Sequence, residues 1–250
     1  MTLHTAPDFI PSNTHTQYST TASRSVLHDA RARSGGRTRA YEIAALRPDG
    51  TVFVTEGYVP ATPLFEEPFS AFARGTLIST PQGETPVEDL CPGDRIVRAD
   101  GTEAPLLWIG SSKFVPADTG HRTPWVRVMA DSLGLSRPSS FLTFGPAARI
   151  LHTPQNLRGA GTGHKVFTLM RDLVDGVNII EIQPPTPVRL YHLGLARHAA
   201  ISVSGLEMET FHPGPATIAA LPLHQRDAFL SMFPHIGATT GFGPLCYPRA

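Results

Sequence analysis

Cys91, Cys246, Ser70, Ser202, Ser204 and eleven histidines are among the side chains of this 250-residue sequence that could attack a carbonyl, move a proton or hold a metal. Cys91 directly precedes the turn pair Pro92-Gly93 and has no base beside it in sequence, so it reads as a packed or turn residue rather than a nucleophile. Cys246, in a proline-containing tail, reads the same way, and two cysteines so far apart make neither a disulfide framework nor a zinc site. His192 and His198 lie six apart on predicted strands, and no run of Cys, His and carboxylates has metal-ligand spacing. Residues 158–165, RGAGTGHK, set glycines at alternate positions before a lysine, which is phosphate-loop composition. They lack the strand before and the helix after that would aim backbone donors at a phosphate, so they read as a surface loop. Ser202 and Ser204, in ISVSG, lack the glycine-flanked elbow of hydrolases and read as strand serines. Neither a cofactor nor a metal is expected.

The elements that would carry these groups are short and extended. Proline is 24 of 250 residues, about twice the usual share of roughly 5%, and it is spread along the chain, which keeps helices and central strands brief. Residues 1–38 are rich in Ser, Thr, His, Arg and Gly with little apolar periodicity, and read as a disordered lead. Residues 39–60 read as a small β-hairpin element around Pro48-Asp49-Gly50, because Asp-Gly accepts the positive φ of tight hairpin turns. Residues 61–70 read as an extended linker, since each proline disfavours helix at the residue before it. Beyond it, strands are predicted at 75–79, 85–90, 95–99, 105–110, 125–129, 141–144 and 177–182, with two more in 188–205 and turn signals between them. Residues 165–173 could begin helical, and 153–164 form a Gly-rich loop. Trp108 and Trp125 are expected to anchor the core. Residues 215–250 form a C-terminal extension in which only 223–233 has helical spacing. The class is therefore all-β, built from hairpins.

Twenty-one basic residues balance twenty-one acidic ones, so no global field draws nucleic acid or anionic membrane. No apolar run approaches the roughly 18 to 20 residues that span a bilayer, and the first twenty residues lack the basic start and apolar run of a secretory leader. The protein is expected to be soluble, either cytoplasmic or exported without a cleaved leader. The partner class stays open, with protein among the candidates, and so does the oligomeric state.

Between 71 and 214 these elements carry a series of motifs: GTLISTPQGETPVEDLCPGDRIVRADG at 75–101, LLWIG at 106–110, VRVMADSLGL at 126–135, RDLVDGVNII at 171–180 and VRLYHLGLARHAAISVSGLEMETFHPG at 188–214. In this order they resemble a bacterial Hint domain, the fold shared by hedgehog autoprocessing domains and inteins. The resemblance implies a Hint fold over 71–214 and a known chemistry. A Cys or Ser at the first position attacks the carbonyl of the preceding peptide, and a Thr or Ser with a His three residues later strains or protonates that amide.

Carried over residue by residue, the first position, four before Gly75, is Ala71, and the pair falls on Gly145 and Ala148. Ser70 is one residue out of register, which on a strand points to the other face. Thr143 and His152 stand near the pair at the wrong spacing, while His198 falls where the family tends to carry a histidine. No terminal Asn or Gln followed by a nucleophile closes the block, and no sterol-transfer tail is indicated. The resemblance thus implies a Hint domain inactive in self-splicing and self-cleavage that acts as a structural or binding module. The alternative is residual cleavage near Ser70-Ala71, using Ser70 or a water activated by His198.

Overall fold

Alternation of apolar and polar residues between turn signals produces fifteen strands in the computed structural model, which describes residues 37–114, 124–154, 164–236 and 241–250. The expected disordered lead, apart from its last two residues, and most of the Gly-rich loop at 153–164 lie outside the described residues. The first two strands, β1 (Thr38–Leu46) and β2 (Val52–Pro60), form the Asp-Gly hairpin, in register from Thr38↔Pro60 to Leu46↔Val52. Gly50 has φ +82, and Asp49 accepts the Thr51 N–H at 2.9 Å. This hairpin continues the main sheet, because β1 also pairs with β7 (Glu103–Phe114) from Tyr41↔Ser112 to Ala45↔Trp108.

The stretch after the hairpin is not extended. Pro63 occupies the first turn of α1 (Pro63–Glu66), where its fixed φ suits the helix and its missing N–H costs nothing. A 3₁₀ turn follows at Glu67–Phe69, and together the two turns bury Phe65 and Phe69. The chain then enters β3 (Phe72–Ala73), β4 (Leu77–Thr80), β5 (Gly83–Pro86) and β6 (Arg95–Val97). The strand predicted at 85–90 ends at Pro86 and gives way to a 3₁₀ turn at Val87–Asp89. There the Glu88 carboxylate turns back to accept the Gly75 N–H at 2.7 Å.

The remaining strands are β8 (Trp125–Val128), β9 (Leu142–Phe144), β10 (Arg149–His152), β11 (Val166–Leu169), β12 (Ile179–Ile182), β13 (Val188–Leu195), β14 (Ala200–Val203) and β15 (Leu206–Glu209). The helical start considered at 165–173 is instead β11 followed by a 3₁₀ turn at Met170–Leu173, because pairing with β10 overrides the weak helical spacing. One sheet runs β12-β8-β9-β3-β13-β7-β1-β2, with β6 beside β7, and the other runs β11-β10-β15-β14-β4-β5. Two short helices follow β15, α2 (Thr217–Ala220) and α3 (Leu223–Leu230), and residues 241–250 lie beyond them.

Two main apolar clusters hold these layers. The first takes Phe72, Ile78, Ile96, Phe144, Ile201 and Met208 from both sheets. The second packs Phe229, Met232 and Phe233 of the C-terminal region against Trp108, Phe69 and Phe211, and the Trp108 indole N–H donates to the Met232 carbonyl at 2.7 Å. Trp108 and Trp125 are both buried, as core anchors should be. No helix among the described residues is long and apolar enough to cross a membrane.

Candidate functional site

The 3₁₀ turn at Glu67–Phe69 delivers Ser70 and Ala71 into the middle of the large sheet, where both are buried. The Ala71 N–H donates to the Tyr191 carbonyl of β13 at 3.1 Å. From the other side, the turn after β9 closes on the same two residues: the Gly145 N–H donates to the Ala71 carbonyl at 2.8 Å, and the Ala147 N–H to the Ser70 carbonyl at 3.0 Å. The fold therefore brings Ser70, Ala71 and Gly145 into one place, and Ala148 follows in the same turn, its N–H donating to the Gly145 carbonyl at 3.2 Å. The Ser70–Ala71 peptide carbonyl has a donor to polarise it, and the residue packed against it is Gly145, which carries no side chain. The Ser70 hydroxyl lies 3.5 Å from the Glu67 carbonyl.

A second set of polar groups, missed in the sequence, gathers around Glu209 at the end of β15. Its buried carboxylate meets His198 Nε2 at 2.9 Å, Arg249 Nε at 2.9 Å and an Arg149 guanidinium nitrogen at 3.4 Å. Burial alone would raise the Glu209 carboxyl, but the His198 hydrogen bond and the Arg249 and Arg149 charges outweigh it and hold it below the usual carboxylate range. Arg149 also pairs with Glu67 at 2.8 Å, which ties this cluster to the turn before Ser70. His198 Nδ1 accepts the Cys246 N–H at 3.1 Å. The imidazole thus carries its proton on Nε2, and both nitrogens are engaged within the protein. No local signal in LEMETF reveals the cluster, since strand alternation sets Glu209 on the face opposite Leu206 and Met208.

His192, beside the junction on β13, is enclosed by the rings of Phe72 and Phe211 at 5.7 and 5.4 Å. Desolvation pushes it down to about 3, so it stays neutral and is a poor proton acceptor at ordinary pH. His212 is lowered as well, chiefly by burial.

The other residues singled out in the sequence are structural. Cys91 and Cys246 are exposed, Cys91 in a turn where its N–H donates to Asp94 Oδ2 at 2.7 Å, and partial burial raises both thiols, with Asp94 and Asp89 adding to the effect at Cys91. Ser202 and Ser79 hydroxyls meet at 3.0 Å, and the Ser204 hydroxyl donates to the Leu77 carbonyl at 3.3 Å. His152 Nε2 pairs with the Thr168 hydroxyl at 2.8 Å, away from the Gly145 turn. No group of His, Cys, Asp or Glu among the described residues is placed to hold a metal. Residues 158–163 of RGAGTGHK lie outside the described residues.

The chain is similar to a bacterial intein-like domain from Clostridium thermocellum, at 12% identity and a TM-score of 0.40, over 57% of this chain and 99% of that one. It is similar to the MchDnaB-1 intein at 16% identity and a TM-score of 0.34, over 57% of this chain and 100% of the intein. The TvoVMA intein matches at 12% identity and a TM-score of 0.26, over 70% of this chain and 98% of the intein. No curated protein matches the chain. A family model of the Hint domain matches residues 70–215, and since that is more than half of the sequence, and coincides with the β3–β15 region built around Ser70 and Ala71, the chain belongs to the Hint domain family.

Proposed function

We propose that this Hint domain neither splices nor cleaves itself and serves as a structural or binding module. The observation that carries the reading is Ala71, a methyl group at the place where the motif spacing puts the family's nucleophile, beside a carbonyl hydrogen-bonded to the Ala147 N–H. A methyl group has no lone pair with which to attack. Gly145 and Ala148 add neither hydroxyl nor imidazole to strain or protonate the amide. His198 offers no free lone pair for activating a water, because Nδ1 takes the Cys246 N–H and Nε2 faces Glu209. Ser70 could form a five-membered ring only with the Phe69 carbonyl, one bond upstream, and its hydroxyl is turned toward the Glu67 carbonyl.

Intact-mass spectrometry of the purified full chain, before and after incubation with dithiothreitol and with hydroxylamine, tests this. The full mass is expected throughout. A fragment ending at Ser70, or at Phe69 through an ester at Ser70, overturns the proposal; Ser70→Ala and His198→Ala would then identify the group responsible.

A further inference from the structure

One edge of the large sheet is long and open. β2 ends the strand order and pairs with β1 alone, along its whole length and without a register shift. Two bonds carry the same register past its ends, Arg47 N–H to the Thr51 carbonyl and Ala61 N–H to the Arg37 carbonyl, each 2.9 Å. Bonded and non-bonded pairs alternate in an antiparallel ladder, so the odd-numbered residues of β2 are the ones bonded to β1. The N–H and C=O groups of Val52, Val54 and Glu56 therefore point out of the sheet, where no backbone group among the described residues meets them. The other terminal strands are blunted. β12 is four residues long, and its Ile179 donates to the Asp175 carboxylate at 2.9 Å and accepts the Asp175 N–H at 3.0 Å. β11 is covered where Phe167 bonds to Pro248 and Ala250, and β5 is four residues long and ends at Pro86. β2 has no such device: no lysine, no bulge, and proline only at its last position.

The side chains indicate what fits. Val52, Val54, Glu56 and Tyr58 alternate on the face opposite the buried Val59, and Val54, Glu56 and Tyr58 are exposed. Glu56 stands directly opposite Glu42 of β1. Glu42 is matched by Arg189 at 2.6 Å, whereas Glu56 has no cation within ion-pair distance among the described residues. Cross-strand neighbours of opposite charge attract and like charges directly opposite repel, so the open side of Glu56 favours Lys or Arg, with apolar residues beside Val54 and Tyr58. A second copy suits this edge poorly. Antiparallel self-pairing centred on Glu56 or Thr55 sets the two Glu56 side chains directly opposite or diagonal, with Glu42 of each copy behind them, and centring on Val54 shortens the overlap to 52–56.

We propose that the open edge of β2 binds an extended basic segment of a partner protein by strand addition, with a Lys or Arg side chain of that segment opposite Glu56. The incoming backbone exchanges hydrogen bonds with Val52, Val54 and Glu56, and its alternate apolar side chains lie beside Val54 and Tyr58. This deepens the binding-module reading and rests on it, yet the two fail separately: a self-cleavage fragment overturns the first, and absence of peptide binding overturns the second.

The test uses the full chain and a fluorescein-labelled, C-terminally amidated peptide, Thr-Val-Thr-Lys-Thr-Val-Thr, followed by anisotropy, beside its Thr-Val-Thr-Glu-Thr-Val-Thr counterpart. Saturable binding of the Lys peptide is expected, weakened by added salt and at least fivefold tighter than that of the Glu peptide. Glu56→Lys, at an exposed position, should reverse the preference. Val54→Pro removes an outward N–H and leaves the bonds to β1 in place, so it should weaken the Lys peptide at least fivefold with the urea midpoint near that of the parent chain. Equal binding of the two peptides, a preference that Glu56→Lys does not reverse, or no saturable binding overturns the proposal. Competition by lysine amide as effective as by the unlabelled Lys peptide reduces the edge to a cation contact and overturns strand addition. Sedimentation as a dimer that Val54→Pro converts to a monomer makes the occupant a second copy of the chain and overturns the proposal as well.

Discussion

At Gly145 the missing side chain is what lets the turn close on the junction. A Cβ there would lie 2.3 Å from the Ser70 carbonyl oxygen and 2.6 Å from a Leu190 methyl carbon. The nearest obstacle is backbone, which cannot swing aside as a side-chain tip can, so even one methyl group must push the turn away from β3. Overpacking of this kind costs about 1–3 kcal/mol, and the shift also strains the Gly145-to-Ala71 and Ala147-to-Ser70 hydrogen bonds. Gly145→Ala is therefore expected to lower the urea midpoint by a corresponding amount, with Gly145→Thr worse, while Ala148→Gly, which only removes a methyl, costs less than Gly145→Thr. Equal stability of Gly145→Ala and the parent chain would mean that the turn is held loosely and that the close approach is incidental. The same contact bears on the proposed function: a hydroxyl-bearing side chain at 145 does not fit this backbone unless the Ser70 carbonyl moves.

The C-terminal residues 241–250 form a strap that crosses the second sheet and finishes the Glu209 cluster. Phe167 donates its N–H to Pro248 at 2.8 Å and accepts the Ala250 N–H at 2.9 Å, Gly243 meets His212 Nε2 at 3.0 Å, and Arg249 reaches both Glu209 and the His212 carbonyl. Removing one partner of a buried ion pair typically costs about 3–5 kcal/mol. Arg249→Met is expected to fall toward the low end of that range, because Arg149 and His198 still face the carboxylate. Denaturant unfolding gives the size of the loss, and faster hydrogen exchange at the Cys246 amide would locate it in the strap; a loss under about 0.5 kcal/mol would show the pair to be ornamental, like a surface bridge. None of this strap could be read from local sequence, since Arg249 and Glu209 are 40 residues apart and Cys246 and His198 are 48 apart. What could be read had local physical marks: Asp49-Gly50 for the hairpin, an apolar run bounded by Gly110 for β7, alternation for β8, and ordered turn motifs for the family. Helix α1 and the 3₁₀ turn at Glu67–Phe69 escaped because proline at a first helical position looks, in sequence, like proline in an extended segment. The turn at Val87–Asp89 escaped because its cause, the Glu88 bond to Gly75, lies 13 residues upstream.

Across the whole molecule, the buried titratable groups push acid stability in one direction. His192 is lowered to about 3 and His235 to about 4, both by desolvation, while His212 is lowered chiefly by burial. In the unfolded chain a histidine takes its proton near 6.5. Below that pH the unfolded state binds protons that the folded state refuses, so stability falls as pH drops, by about 1.4 kcal/mol per unit for each such histidine. For His192 the window runs from about 6.5 down to about 3, and for His235 down to about 4. Glu209 adds to the lower part with the same sign: its carboxyl is depressed in the folded state, so the stability it gives is present above the unfolded carboxylate value and is lost as pH falls through the folded one. The urea midpoint is therefore expected to hold near neutrality and to begin falling below pH 6.5, well before ordinary carboxylates titrate. His192→Leu, whatever its cost at pH 7.5, should shrink the drop between pH 7.5 and 5, because it removes a group that only the unfolded chain can protonate. If that drop is the same size in the variant and the parent, His192 is reached by protons in the folded state, and the aromatic enclosure by Phe72 and Phe211 next to Ala71 opens more readily than its packing implies.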